Sequence, residues 1–136
     1  MRASGTFKVA EFTPAPVPGP VIETAVQVGV ATMSKQYEGE VTGRSETLFT
    51  AAYDQGTGVG TYVAMESFEG VLNGRSGTFN FAHSATTPGG ALRESEFFVI
   101  VPSSGTGELA GITGTGSLTI DEDGTHRMSF TYELEG

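Results

Sequence analysis

The chain contains no cysteine, few basic residues and no long apolar run. Without cysteine it can form neither a disulfide framework nor a thiolate metal site. Seven Lys and Arg face sixteen Asp and Glu, and the formal charge of -9 repels phosphate backbones and anionic lipid surfaces. No apolar segment approaches the ~18 residues that would span a bilayer. The composition therefore predicts neither a nucleic-acid partner nor a membrane partner.

Sequence motifs for cofactors and leaders are also missing. The first residues have no apolar segment typical of a secretory leader, so we expect a cytoplasmic protein. The glycine-rich segment 104–116 is not followed by Gly-Lys-Ser/Thr, and no nucleophile elbow is present. The acidic turn at 121–124 lacks the remaining ligands of a calcium loop. We therefore expect no metal and no cofactor.

Twenty glycines punctuate runs in which apolar and polar residues alternate, a pattern typical of short antiparallel strands. The sequence predicts a single domain over residues 1–136, all-β, forming an eight-stranded antiparallel β-barrel. The predicted strands are 3–12, 25–37, 40–53, 59–72, 75–87, 91–101, 114–120 and 125–134. Proline occupies every second position from 14 to 20 and predicts an extended arm. This arm is a surface crossover, a flap over the barrel mouth or a clasp on a neighbouring subunit.

The Asn-Gly pair at 73–74 predicts a two-residue hairpin turn. Such a turn pairs Leu72 with Arg75 and makes Glu66 a diagonal neighbour of His83 on one face of the sheet. That face also carries most of the aromatic residues, so we expect it to be the interior.

Pairing Tyr53 with Val59 across the preceding loop places Glu46 directly opposite Glu66. Two carboxylates in a poorly solvated site repel each other, so the pKa of at least one is expected to rise toward neutrality. They would act in catalysis or ligand orientation. The alternatives are carboxylates that pair with an arginine to hold the barrel together, and, less favoured, a metal site shared with His83.

Pairing Thr87 with Gly90 places Glu94 opposite His83. The predicted catalytic residues are therefore Glu66, Glu46 and His83. The same face is expected to carry Leu48 and Leu92, and the predicted ligand-binding residues are Tyr62, Phe79, Phe81, Glu94, Phe98, Met128, Phe130 and Tyr132.

Several apolar residues are expected to point outward, which indicates a subunit interface. We predict a homo-oligomer, most simply a homodimer, with a trimer as the alternative. The outward set is Phe49, Tyr53, Val59, Val63, Met65, Phe97, Val99 and Val101.

Segments 70–79 and 101–114, together with His83, resemble the hallmark stretches of a bacterial family of unknown function, number 3224 in its series. That family resembles the allene oxide cyclase-like and calycin-like barrels, which include cofactor-free cyclases of fatty-acid and polyketide products. The resemblance implies a cofactor-independent cyclase or isomerase acting on a hydrophobic small molecule inside the barrel. The alternatives are a lipocalin-like binding protein without turnover and a protein whose interior is filled by side chains.

Overall fold

The computed structural model describes residues 1–89 and 92–134, and eight antiparallel strands in these ranges form one closed sheet. Each strand pairs with its neighbours in chain order, and the last strand pairs with the first. The all-β prediction and the count of eight strands are confirmed. The strands are β1 (Arg2–Pro14), β2 (Val28–Gly39), β3 (Val41–Asp54), β4 (Val59–Leu72), β5 (Arg75–Thr87), β6 (Glu94–Ile100), β7 (Thr113–Ile120) and β8 (His126–Glu133).

The turn between β4 and β5 confirms the predicted hairpin. Asn73 and Gly74 have φ angles of 47° and 82°, which a two-residue turn of this type requires. Leu72 pairs with Arg75, and the register continues unbroken along both strands. As predicted, Glu66 is therefore a diagonal neighbour of His83 in the interior.

The register between β3 and β4 differs by one residue from the prediction. Tyr53 pairs with Gly60 instead of Val59, because β3 continues to Asp54, whose carbonyl accepts a hydrogen bond from Gly58. A slip of one residue moves every side chain of the strand to the opposite face. The prediction that Glu46 lies opposite Glu66 is wrong.

The side chains of β3 illustrate the consequence. Glu46 lies opposite Ser67 on the outer surface, where it is 65% exposed, and Leu48 is likewise exposed. Thr47 and Phe49 face the interior instead. Phe49 and Tyr53, expected on the outer face, both line the interior cavity, Tyr53 being half exposed at its open end.

β6 pairs with β5 in a different register from the predicted one and contains a β-bulge at Ser95 and Glu96. His83 lies opposite Phe98, and beyond the bulge Glu94 lies opposite Thr86. Glu94 is exposed. The prediction that Glu94 faces His83 is therefore wrong.

Leu92, expected inside, is 69% exposed. The pairing predicted for Gly90 and the predicted strand start at residue 91 lie outside the described residues.

One end of the interior is filled by closely packed side chains. Aromatic rings make up about half of this core, with ring centroids 5–6 Å apart in tilted or edge-on contacts. Five of the residues predicted to bind a ligand belong to it and lie outside the cavity described below. They are Phe79, Phe81, Met128, Phe130 and Tyr132.

The first part of the glycine-rich segment forms a loop beside the start of β5, where the N–H of Thr106 donates to the carbonyl of Thr78. It contains a short 3₁₀ turn at Gly107–Leu109, and Leu109 is fully buried. A Cβ atom added to Gly77 of β5 would lie 2.1 Å from the carbonyl oxygen of Thr106. Glycine is therefore required at residue 77 for close approach of two backbones.

The proline-rich arm has no regular secondary structure after Pro14. Val21 and Ile22, directly after the arm, are 99% and 78% exposed, while Pro14 at the start of the arm and Gln27 before β2 border the cavity. Among residues 1–89 and 92–134, no helix is long and apolar enough to cross a membrane.

Candidate functional site

The other end of the closed sheet contains a cavity of about 650 Å³. Its walls come from the carboxyl ends of β1, β3 and β5, the amino ends of β2 and β4, and nearby parts of β7 and β8. Most of the side chains that line it are apolar, and half-exposed Phe12 and Tyr53 stand at its open end. The apolar wall consists mainly of Phe7, Val9, Phe12, Ala31, Met33, Phe49, Ala64, Leu118 and Ile120.

The inner end of the cavity is polar and lies above a buried ion pair. The Nζ atom of Lys35 is 2.8 Å from Oε1 of Glu66, and the two side chains are 4% and 0% exposed. Glu66 also accepts hydrogen bonds from Ser45 at 2.6 Å and from the hydroxyl of Tyr37. His83 completes the group, with Nε2 at 3.1 Å from Oε1. Lys35 and His83 line the cavity, whereas Glu66 is buried behind them.

These contacts keep Glu66 ionised. Burial raises the pKa of its carboxyl group, but the charge of Lys35 and the hydrogen bonds from His83, Lys35 and Ser45 outweigh burial and lower the pKa to about 2. The expectation that the pKa of an interior carboxylate is raised is therefore wrong for Glu66. The reason is that its neighbour is a lysine and not Glu46.

His83 is neutral at pH 7 because burial, reinforced by the nearby charge of Lys35, lowers its pKa despite the opposing effect of Glu66. The ionised carboxylate can only accept, so Nε2–H of His83 donates to Glu66. Nδ1 is then an acceptor, and the hydroxyl of Tyr62 donates to it at 2.9 Å. The hydrogen bonds thus fix the tautomer of the imidazole ring.

Arg93 extends this chain of hydrogen bonds along the cavity. Its Nη2 atom donates to the Tyr62 hydroxyl at 2.7 Å, and its Nε atom donates to Glu96 at the same distance. Burial raises the pKa of Tyr62, and this effect exceeds the opposing effect of Arg93. Tyr62 therefore carries a protonated hydroxyl at neutral pH.

Of the residues predicted from the sequence, the structure brings Glu66, His83 and Tyr62 together. Phe98 stacks on the imidazole of His83, with ring centroids 5.6 Å apart. Glu46 and Glu94 are exposed on the outer surface and do not join this group, although Glu46 is only one position from it in register.

Sequence reasoning missed Lys35, Tyr37, Thr47 and Arg93. Period-two alternation on β2 places Lys35 and Tyr37 on one face with Ala31, and this signal could have identified them as interior. Arg93 lies directly before β6 and its bulge, and the bulge has no clear sequence signal.

Within the part of the chain that the structure describes, no three His, Cys, Asp or Glu residues come together as metal ligands. Lys35 already occupies the position where a cation would meet Glu66. The chemistry available here is therefore hydrogen bonding and proton transfer by Tyr62, His83 and Lys35.

Comparison with known proteins agrees with this architecture. No curated protein matches the chain. A solved structure of a protein with unknown function from the DUF3224 family of Shewanella oneidensis MR-1 is 29% identical, with a TM-score of 0.80. The alignment covers 100% of this chain and 98% of that chain. The model of the family described as "Protein of unknown function (DUF3224)" matches residues 3–132, and the chain therefore belongs to that family.

Proposed function

We propose that this protein binds a hydrophobic small molecule inside the closed sheet. The observation that carries the proposal is the cavity of about 650 Å³, whose walls are mainly apolar and whose polar lining residues include Lys35, Tyr62 and His83. Small-molecule sites typically enclose roughly 300–1,000 Å³ and combine such walls with a few polar groups that orient the ligand. A fully filled interior would leave no such space, and packing of this kind is confined to the opposite end.

Binding is tested with the neutral fluorescent probe N-phenyl-1-naphthylamine. Ala64 lies in the cavity wall between Phe49 and His83, and it is 1% exposed. A leucine at this position would occupy ligand space, so we expect Ala64→Leu to weaken probe binding at least tenfold. Titration followed by probe fluorescence measures the affinity.

Ala82→Leu is the matched control, because Ala82 neighbours Met65 on the outer face of the same two strands. This variant should bind the probe as the unmodified protein does. Equal affinities in all three proteins would contradict binding in the cavity, as would the absence of binding to the unmodified protein.

The second candidate function is cofactor-independent isomerisation or cyclisation of the bound molecule. The chain of hydrogen bonds from Arg93 through Tyr62 and His83 to Glu66 favours it. A proton on the carbon next to a ligand carbonyl would pass to the Tyr62 oxygen while the Tyr62 proton moves to Nδ1 of His83. Glu66 would stabilise the imidazolium that forms, as the carboxylate of a catalytic triad does.

Lys35 faces the same space and would stabilise the negative charge that develops on the carbonyl oxygen. Structural kinship with the allene oxide cyclase-like barrels is part of this second proposal. The closed sheet of eight antiparallel strands around a cavity supports that kinship.

Self-association through the outer face of β3 to β6 is a separate proposal. Val63, Met65 and Phe97 are 59%, 49% and 55% exposed, and β3 adds exposed Leu48 to the same face. Burying such residues against a second copy would remove apolar surface from water. We expect light scattering at micromolar concentration to give a dimer mass and Val63→Glu to give a monomer that still folds cooperatively, with a thermal midpoint no higher than that of the dimer. A monomeric mass for the unmodified protein would contradict the proposal.

A further inference from the structure

We infer that the inner end of the cavity recognises an uncharged ligand oxygen, the carbonyl of a ketone or ester or the hydroxyl of an alcohol, in preference to a carboxylate. The inference rests on the proposed binding function and specifies its ligand class. It is carried by an unpartnered hydroxyl and by the charge balance around it.

Thr47 supplies the unpartnered group. Its side chain is 3% exposed and lines the cavity, and its Oγ1 atom has no hydrogen-bond partner among the described residues. Most buried side-chain hydroxyls have a partner, because leaving one without a hydrogen bond is costly. A ligand oxygen that reaches the inner end of the cavity would provide this partner.

Lys35 supplies a second donor in the same part of the cavity. Its ammonium group has three protons, and its one hydrogen bond among the described residues goes to Glu66. Register places Lys35 opposite Ser45, two positions from Thr47 on the same inward face. A carbonyl oxygen can accept from both Thr47 and Lys35 through its two lone pairs.

The charged side chains at the inner end of the cavity are already paired with one another. Lys35 is paired with ionised Glu66, Arg93 is paired with Glu96, and His83 is neutral. A ligand carboxylate would add a second negative charge near Glu66 in a poorly solvated place, where like charges repel strongly. An uncharged oxygen accepts the same hydrogen bonds without that repulsion.

Displacement of N-phenyl-1-naphthylamine by decan-2-one and by decanoate at pH 8 tests the inference. We expect the ketone to bind at least tenfold more tightly than the carboxylate. Thr47→Val removes the hydroxyl but keeps the shape, and it should weaken ketone binding about fivefold, the effect of one hydrogen bond. The same change should leave decanoate binding nearly unaltered. Thr47→Ser keeps the hydroxyl and should bind the ketone like the unmodified protein.

A second measurement uses only the unmodified protein. The carbonyl ¹³C resonance of labelled decan-2-one should move downfield on binding, relative to its position in hexane, because the oxygen accepts hydrogen bonds. Decanoate binding as tightly as the ketone, or an unshifted carbonyl resonance in the complex, would overturn the inference while leaving the binding function intact. If the probe itself does not bind, both the proposed binding function and the inference about the ligand class are contradicted.

Discussion

Replacing Glu66 with glutamine is expected to destabilise the folded protein by roughly 3–5 kcal/mol at pH 7, the usual result of breaking one side of a buried ion pair. Glu66→Gln leaves the ammonium of Lys35, which is 4% exposed, without its compensating charge. The pKa of Glu66 gives a similar magnitude, because a fall from 4.5 to about 2 corresponds to about 3 kcal/mol. Urea denaturation at pH 7 measures the difference.

Two variants control this experiment. Lys35→Met together with Glu66→Gln removes both charges and should recover most of the lost stability. Glu46→Gln makes the same chemical change at a carboxylate that is 65% exposed, and it should alter stability very little. A Glu66→Gln protein as stable as the unmodified one at pH 7 would show that the ion pair does not stabilise the fold.

The stability of the unmodified protein should fall as the pH falls. The folded pKa of Glu66 lies below its unfolded value, so its contribution is complete above pH 4.5 and is lost as the pH falls toward about 2. His83 acts in the same direction, because its folded pKa lies below 6.5 and the unfolded chain takes up the proton first. The difference between Glu66→Gln and the unmodified protein should therefore shrink below pH 4.5.

If the cavity catalyses proton transfer, the protein will exchange the hydrogens next to the carbonyl of bound decan-2-one for deuterium. General acid–base groups typically contribute about 10²–10⁴-fold, so Tyr62→Phe should slow this exchange by a factor in that range. Phenylalanine keeps the ring but loses the hydroxyl that donates to His83. Nuclear magnetic resonance of the ketone in deuterated buffer follows the reaction.

Tyr53→Phe is the control, because Tyr53 lines the mouth of the same cavity and is half exposed there. This variant should exchange the hydrogens of the ketone for deuterium at the same rate as the unmodified protein. If the hydrogens of the bound ketone exchange no faster than those of the ketone in buffer, catalysis is contradicted. The protein would then bind the ketone without reacting with it. An equal rate in Tyr62→Phe would assign the proton transfer to another group.

Local sequence signals were sufficient for much of the fold. Glycine-punctuated alternation gave eight strands, and the Asn73-Gly74 turn requires positive φ at two successive residues, which ties β4 to β5 in one register. Once that register is set, the period of two places Glu66, His83 and Tyr62 on the same inward face. These three residues of the candidate site could therefore be predicted from the chain alone.

The longer loops do not fix the register of the strands that they connect. The loop after Asp54 allows β3 to extend by one residue, and that single step turned Glu46 outward and Thr47 inward. The bulge on β6 moved Glu94 to the surface in the same way. Loop geometry of this kind depends on backbone hydrogen bonds that the residue pattern does not specify.

The sequence by itself determined the strands, the tight hairpin and the inward position of Glu66 and His83, because local backbone preferences and a period of two are sufficient for these. Only the tertiary structure decided that Lys35 neutralises Glu66 and that one end of the sheet is packed while the other holds a cavity. The physical reason is that closing the sheet brings side chains from non-adjacent strands together. Their contacts, and hence the charge state of Glu66, depend on the register of every intervening pair.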